Sequence, residues 1–449
     1  MTAHEDEEQG EVLFDESDII DEIDVDEEDL PDAEDDIVED ADDSIHIFTG
    51  HTGELYAVAC SPTDPVLVAT GGGDDKGFLW KIGHADWASE LQGHTDSVSS
   101  LAFSHDGQLL ASGGHTDSVS SLAFSHDGQL LASGGFDGLV KVWDTSGNLK
   151  STLEGPGGGI EWIRWHPKGH LILAGSEDCT VWMWNADNGS CLNVFSGHGA
   201  SVTCGDFTPD GKTICTGSED ATLRIWNPRS GESIHVLRGH PYHTEGLTCL
   251  SISSDSTFAV TGSKDGSVHV VNITTGKTQI IAISHTTNRA APVIQTHEVG
   301  CELNTHCHLA KSWGSKQVVS SWASQTSSTE GDPESIECVS FAPKFPWAVS
   351  GGMDRNLTIW DLQNSSPRFI CNHEEGVTCL AWLGASKFLA TGCCDGRICI
   401  WNCLSGECVE TFKGHEHAIQ SLSVSSNLEF LVSVSMDGTA RVFEIRNFH

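Results

Sequence analysis

Basic residues are scarce in this chain. It has 23 Lys and Arg against 65 Asp and Glu in 449 residues, a net charge of −42. A surface of that sign repels nucleic acid, whose phosphates demand cations. No apolar run approaches the roughly 18–20 residues that a membrane span requires. The N-terminus is acidic and lacks the basic segment and apolar run of a signal peptide, so a soluble intracellular chain is expected, cytoplasmic or also nuclear. No glycine-rich phosphate loop and no paired metal motif is present, so neither an enzyme nor a cofactor is expected.

What the chain does have is repetition. Residues 197–227 run from Gly197-His198 to Trp226-Asn227 and hold strand-length apolar runs (Val202, Cys204, Phe207; Ile214, Cys215; Leu223, Ile225). Turn signals at Pro209-Asp210-Gly211 and Ser218-Glu219-Asp220 separate them. Such a unit has apolar side chains on both faces and needs copies of itself to bury them. An Asp six residues before a bulky apolar residue marks the copies: Asp74/Trp80, Asp137/Trp143, Asp178/Trp184, Asp220/Trp226, Asp265/Val271, Asp354/Trp360, Asp395/Trp401 and Asp437/Phe443. Thr70, Ser133, Thr216, Thr261, Ser350, Thr391 and Ser433 stand four residues before their Asp, and only Ala174 breaks the rule. About 22 residues before most of these Asp lies a His: His51, His115, His198, His240, His373 and His415. The order His, Ser/Thr, Asp, Trp, repeated eight times at a period near 42, resembles the structural tetrad of WD40 repeats. The resemblance implies an all-β chain forming one closed propeller of eight blades.

Four units carry the whole tetrad: His51, Thr70, Asp74, Trp80; His115, Ser133, Asp137, Trp143; His198, Thr216, Asp220, Trp226; and His373, Thr391, Asp395, Trp401. A buried carboxylate must accept hydrogen bonds, and a buried imidazole, hydroxyl and indole must find partners, so the Asp is expected to be their shared acceptor. Read as catalytic triads, the same residues would have to recur in many blades, and no exposed nucleophile or oxyanion hole accompanies them.

Residues 1–43 contain 23 Asp/Glu and no Lys or Arg, which leaves −19 for the remainder. That segment is expected to be a disordered acidic arm, either a solubilising tail or a contact for a basic partner, ahead of a propeller over 44–449. Residues 44–48 precede Gly50-His51 where other units have an outer strand, and the chain ends five residues after Glu444. They are therefore expected to complete the last blade and join the ends of the ring. Two stretches depart from the period. HTDSVSSLAFSHDGQLLASGG at 94–114 recurs unchanged at 115–135. The second copy keeps the spacing to Asp137 and is assigned to the blade; the first is expected to be extruded as a loop. Residues 278–334 form a long insertion in which either 278–281 or 317–319 supplies the outer strand. Within it Cys301, His306, Cys307 and His308 lack the paired spacing of zinc sites, so no metal is expected. Cys204, Cys249, Cys338 and Cys379 each stand 16 residues before their Asp, which reads as one buried free thiol recurring in four blades.

The acidic arm, EWIRWHPKGHLILAGSEDCTVWMWN at 161–185, CTGSEDATLRIWNP at 215–228 and PRFICNHEEGVTCLAW at 367–382 look like the angio-associated migratory cell protein family. The resemblance covers the chain apart from the duplicated 21-mer and 278–316. It implies a non-catalytic scaffold: fungal relatives act as chaperones of a basic large-subunit ribosomal protein, and animal members are linked to cell migration. The residues point the same way. Positions flanking the inner strand, or just before the tetrad Asp, should face one entrance of the ring; they include Glu54, Glu161, Glu177, Glu219, Glu337 and Glu375, with Tyr56 and Trp162 near the same level. Carboxylates with an aromatic or two suit a Lys/Arg-rich segment of a protein partner, bound by a monomer. Two other classes stay open: a signalling or cell-migration scaffold, and a ubiquitin-ligase substrate receptor. For the latter, Trp226-Asn227-Pro228-Arg229 comes near the Trp-Asp-x-Arg pattern with Asn in place of Asp.

Overall fold

The computed structural model describes residues 41–91, 96–111, 115, 117–282 and 335–448. The expectations for residues 1–40, for 317–319 and for Cys301, His306, Cys307 and His308 lie outside the described residues. Among the described residues, strands form eight four-stranded antiparallel sheets and one two-stranded sheet. Blades 1 to 7 cover 55–91, 119–153, 160–196, 204–237, 247–282, 336–372 and 377–412, each strand pairing with the next in sequence. Blade 8 combines 419–444 with His46–Phe48 as its outer strand. Lys277–Ala282 is the outer strand of blade 5, which decides between the two candidates there. No helix of the described residues is long and apolar enough to cross a membrane.

Second strands such as Trp347–Gly352 are buried along their whole length, whereas outer strands such as Glu407–Phe412 are largely exposed. A sheet covered on both faces reads as a continuous apolar and small-residue run, and the second strands have that composition. In blades 1, 2 and 4 to 7 glycine follows the tetrad Ser or Thr because the next element arrives there. A Cβ on Gly134 would stand 2.7 Å from Ile160 Cγ2, and one on Gly217 would stand 2.7 Å from Leu247 Cδ2. Blades are also stapled by hydroxyls: Thr203 donates to Leu247 O and Thr378 to Ile419 O, each at 2.6 Å.

The duplicated segment corrects one expectation. The second copy forms Val119–Phe124 and Leu130–Gly135 of blade 2. The first copy is not extruded. It folds into a small hairpin, Ala102–Phe103 against Leu110–Ala111, wedged between blades 1 and 2. Val98 is buried, donates its N–H to Gly72 O at 2.9 Å, and covers Gly71 as Ile160 covers Gly134. The Ser99 hydroxyl donates to Val119 O, repeating the staple of Thr203. The hairpin thus uses the inter-blade contacts of an inner strand without having a blade's outer half.

Closure of the ring follows the register His46↔Val442, Ile47↔Arg441, Phe48↔Ala440. Phe48 also stacks on Trp80 of blade 1, with ring centroids 5.0 Å apart. Two acidic residues assigned to the arm belong to the ring instead: Asp42 ion-pairs with Arg441, and Asp43 accepts the Lys413 N–H at 2.9 Å.

The tetrads are relays rather than clusters around the carboxylate. In blade 1, His51 Nδ1 donates to Asp74 at 2.9 Å and Nε2 accepts from the Thr70 hydroxyl at 3.1 Å. Thr70 Oγ1 in turn accepts the Trp80 indole N–H at 3.2 Å. His115, Ser133, Asp137 and Trp143 repeat this in blade 2. The hydroxyl, not the carboxylate, is the shared partner. In blade 4 Thr222 is inserted: its hydroxyl donates to Asp220 at 2.6 Å and accepts from His198 Nδ1 at 2.9 Å. Blade 5 corrects the assignment of His240. His243 is the tetrad imidazole, bonded to Ser267 at 2.7 Å and Thr261 at 2.8 Å. Val271 has no indole, and the neighbouring Tyr242 hydroxyl takes its place on Thr261 at 3.0 Å. In blade 7, His373 and Trp401 both reach Thr391, at 2.9 and 3.1 Å, but His373 Nδ1 is buried with no partner and does not engage Asp395. In blade 3, Ala174 offers no hydroxyl and the buried Trp184 Nε1 has no partner.

Three outcomes are expected. Deleting 1–40 should leave the thermal midpoint nearly unchanged, whereas deleting 1–49 should lower it by several degrees; equal midpoints would refute closure through His46–Phe48. Ala174→Ser supplies the missing acceptor and should stabilise by about 0.5–1.5 kcal/mol in denaturant unfolding, while Ala174→Val should not. The third concerns pH. Burial holds His51, His115, His198, His243 and His415 below the ordinary imidazole range, only partly offset by their carboxylates. Their unfolded pKa of about 6.5 exceeds the folded one, so the unfolded chain binds more protons on acidification. Stability present above pH 6.5 should therefore be lost as pH falls below it. For Asp220, Asp265 and Asp437 burial pushes upward, but bonds from imidazole, hydroxyl and backbone outweigh it and hold all three well below the carboxylate range. A thermal midpoint constant from pH 7 to pH 5 would contradict the neutral-imidazole relay.

Candidate functional site

One backbone bond sets a common level in all eight blades. The residue before the tetrad Asp donates its N–H to the carbonyl just ahead of the inner strand: Gly73 to Glu54, Phe136 to Ser118, Glu177 to Gly159, Glu219 to Ser201, Lys264 to Gly246, Met353 to Ser335, Cys394 to Gly376 and Met436 to Ala418, at 2.8–3.1 Å. A second circle comes from the inner strands. Their register slips at Ile160/Trp162 and Ile336/Cys338, and likewise at Leu55/Ala57. The skipped residues, Glu161, Glu337 and Tyr56, stand out of the ladder, as a bulge requires.

The acidic residues at this level are unevenly placed. Glu161 is half-buried, accepts the Ser201 hydroxyl at 3.1 Å, and has its carboxyl raised by burial and by the charges of Glu177 and Glu219. Glu177 is held by the Gly159 N–H at 3.0 Å. These three carboxylates thus form one cluster over blades 3 and 4. The glycine-rich loop 155–159 makes room for it, since blade 3 has no tetrad His there and Gly157 N–H binds Asp178 directly at 2.7 Å. Glu337 of blade 6 is raised by burial and bonded to Ser335, with Lys264 working against the rise. Glu54 accepts the Tyr56 hydroxyl at 3.0 Å on blade 1. Glu375 lies 3.4 Å from Arg355.

Trp162 is not at this face. It is 4 % exposed, its indole N–H donates to Val202 O at 2.8 Å, and its ring lies against Gly175 and Gly205. It is a core residue between blades 3 and 4. The face also carries two cations. Lys264 stands 3.0 Å from Glu219, and Arg355 pairs with Glu375. Lys264 immediately precedes Asp265, so the rule that found Glu177 and Glu219 also finds it. The same rule names Phe136, Met353, Cys394 and Met436, which make the remainder of the face apolar or soft.

A closed ring of four-stranded blades with these relays and this loop-built face defines a WD40 propeller. The family model for the WD domain, G-beta repeat, matches residues 42–81, 87–115, 113–144, 147–185, 189–227, 231–272, 323–361, 365–402 and 406–444. The chain is 30% identical over 408 residues to the angio-associated migratory cell protein of Homo sapiens, covering 90% of this chain and 81% of that protein, and the Canis lupus familiaris protein matches to the same extent. It belongs to the angio-associated migratory cell protein family of WD-repeat proteins. Among solved structures, Chaetomium thermophilum Sqt1 bound to the N-terminus of the ribosomal protein L10 shares the fold with a TM-score of 0.65 at 21% identity, over 90% of this chain and 100% of that one. Saccharomyces cerevisiae Sqt1 gives 0.63 at 21% identity, over 90% of this chain and 99% of that one.

Proposed function

We propose that this WD40 scaffold is a non-catalytic carrier that captures a basic segment of a ribosomal protein on its acidic face before large-subunit assembly. It acts as a monomer in the cytoplasm, with access to the nucleus. The observation that carries the reading is the cluster of Glu161, Glu177 and Glu219. Rigid loops hold three carboxylates close enough for two of them to raise the third. An incoming Lys or Arg relieves that repulsion, so the site is more complementary to a cation than a scatter of surface Glu. Glu337 extends the acidic path on blade 6, and Glu54 with Tyr56 and Glu375 flank it. The L10 segment bound by a structural neighbour supplies the class of cargo to test.

The reading is tested with the N-terminal peptide of L10 from the chain's own organism. Reversing Glu161, Glu177 and Glu219 to Lys together should weaken binding at least about tenfold at every salt concentration, because partly desolvated pairs act on off-rate. Lys264→Ala should tighten binding by up to about fivefold, since Lys264 now competes for Glu219. Deleting 1–40 should slow association at low salt and matter little once screening falls to about 8 Å. Unchanged affinity in the triple reversal would remove the acidic face as the site.

A further inference from the structure

Blade 7 departs from the other complete tetrads in a way that assembles soft ligands. In blades 1, 2, 4, 5 and 8 the tetrad imidazole reaches its carboxylate directly or through a hydroxyl. In blade 7 Asp395 keeps the backbone bond common to the blades, from Arg397 N–H at 3.1 Å, but faces the Arg397 guanidinium at 3.6 Å rather than the imidazole. His373 Nε2 is taken by Thr391 and the Trp401 indole, while Nδ1 is buried and unpartnered. Around this imidazole the second and third strands bring cysteines. Thr391 pairs with Cys399 across the ladder, so Cys393, two residues on, shares the face of Cys399. A ring nitrogen of His373 and the sulphurs of Cys393 and Cys399 all lie within 4.8 Å of one another. Cys408 of the outer strand Glu407–Phe412 lies outside this group: its thiol faces Glu410 O at 3.3 Å and Thr411 Oγ1 at 3.5 Å.

We propose that His373, Cys393 and Cys399 form a three-ligand binding site for a soft d10 cation of the zinc class, with the fourth tetrahedral position left to an exogenous ligand. One imidazole and two thiols with an open fourth position are a donor set of that chemistry. With metal–sulphur bonds of about 2.3 Å, sulphurs in a tetrahedral site stand roughly 3.8 Å apart. The three donor atoms, all within 4.8 Å of one another, need to contract by about 1 Å or slightly more, within what rotamer adjustment supplies. On binding, the thiols lose their protons to solvent and His373 gives the lone pair of a deprotonated ring nitrogen, so no redox partner is involved. The ion would replace the missing carboxylate link and tie together the loop ahead of the inner strand and the second and third strands of blade 7. Cys394, adjacent in sequence, is not part of the set, because its thiol faces Met353 Sδ at 3.7 Å.

The test uses the full chain, purified metal-free under reducing conditions and titrated with Cd2+. A thiolate-to-cadmium charge-transfer band should grow and saturate at one equivalent, and the thermal midpoint should rise in parallel. Cys393→Ser and Cys399→Ser should each abolish the stoichiometric phase, whereas Cys394→Ser and the double substitution Cys301→Ser/Cys307→Ser should keep it. Absence of a stoichiometric band in the unsubstituted chain, or its survival in both Cys393→Ser and Cys399→Ser, overturns the proposal. Should those variants fail to fold, Co2+ loaded into the unsubstituted chain decides: sulphur charge transfer with tetrahedral d–d bands supports the site, and an octahedral oxygen-type spectrum refutes it.

Discussion

A single buried hydroxyl in the second strand of most blades is the point on which the architecture depends. In blade 4, Thr216 Oγ1 accepts the indole N–H of Trp226 on the third strand and donates to His198 in the loop ahead of the first. Three separate pieces of chain are thereby fixed to one atom. The carboxylate works further out: Asp220 accepts the N–H groups of Gly199 and Thr222 and so sets the shape of the two loops at the entrance. Burial of each polar atom is tolerable because each has a partner, and removing the hydroxyl would strand two rings at once. Blade 3 shows what happens without it: Trp184 is left unpaired, and Trp182 turns its indole to Thr180 instead.

The period and the order of the relay were legible because hydrogen-bond geometry repeats at fixed spacing along each unit. Where the reading of the chain erred, an equivalent group had replaced the expected one. His240 stands 25 residues before Asp265, and the departure from 22 was the sign that His243 was meant. Tyr242 filling the indole position of blade 5 could not be read from spacing, since it comes from the loop beside His243 and not from the third strand. The role given to Asp as common acceptor was also wrong, and for a physical reason. A carboxylate can accept from several donors, but Thr or Ser Oγ lies between the two rings in space, and sequence order does not reveal which member is central. Trp162 looked like an entrance residue because it adjoins Glu161, yet the bulge that turns Glu161 out of the ladder turns its neighbour into the core.

The duplicated segment teaches a related lesson about what a blade is. Its strands are apolar, so extrusion into solvent was costly from the start. The structure avoids that cost by using the inner edge of the ring, where Gly71 waits for any β-branched residue and Gly72 O for any N–H. Val98 satisfies both as well as Val119 would. Inter-blade contacts therefore recognise an inner strand alone and do not require the outer half of a blade. This follows from where the tight packing is: second strands are buried throughout, inner strands are buried or half-buried, and outer strands are mostly exposed.

The same division explains how an acidic face can persist. Glu161 sits half-buried beside two other carboxylates, an arrangement that a free loop would relax by moving apart. It is held because Glu177 and Glu219 are anchored through their own N–H groups to the segments ahead of the inner strands, one residue from Asp178, which binds Gly157 N–H, and from the relay carboxylate Asp220. Stability gathered in the blade 4 tetrad and in the backbone bonds of loop 155–159 thus maintains an electrostatically unfavourable cluster at the surface. Preorganisation of this kind lowers the cost of binding, since the carboxylates need not be brought together when a cation arrives. The face is not uniformly acidic, however. Lys264 interrupts the cluster on one side, and Phe136 borders it on the other. A partner matched to it would present cationic side chains over blades 3 and 4 and an apolar residue toward blade 2, which is a more restrictive pattern than net charge alone would demand.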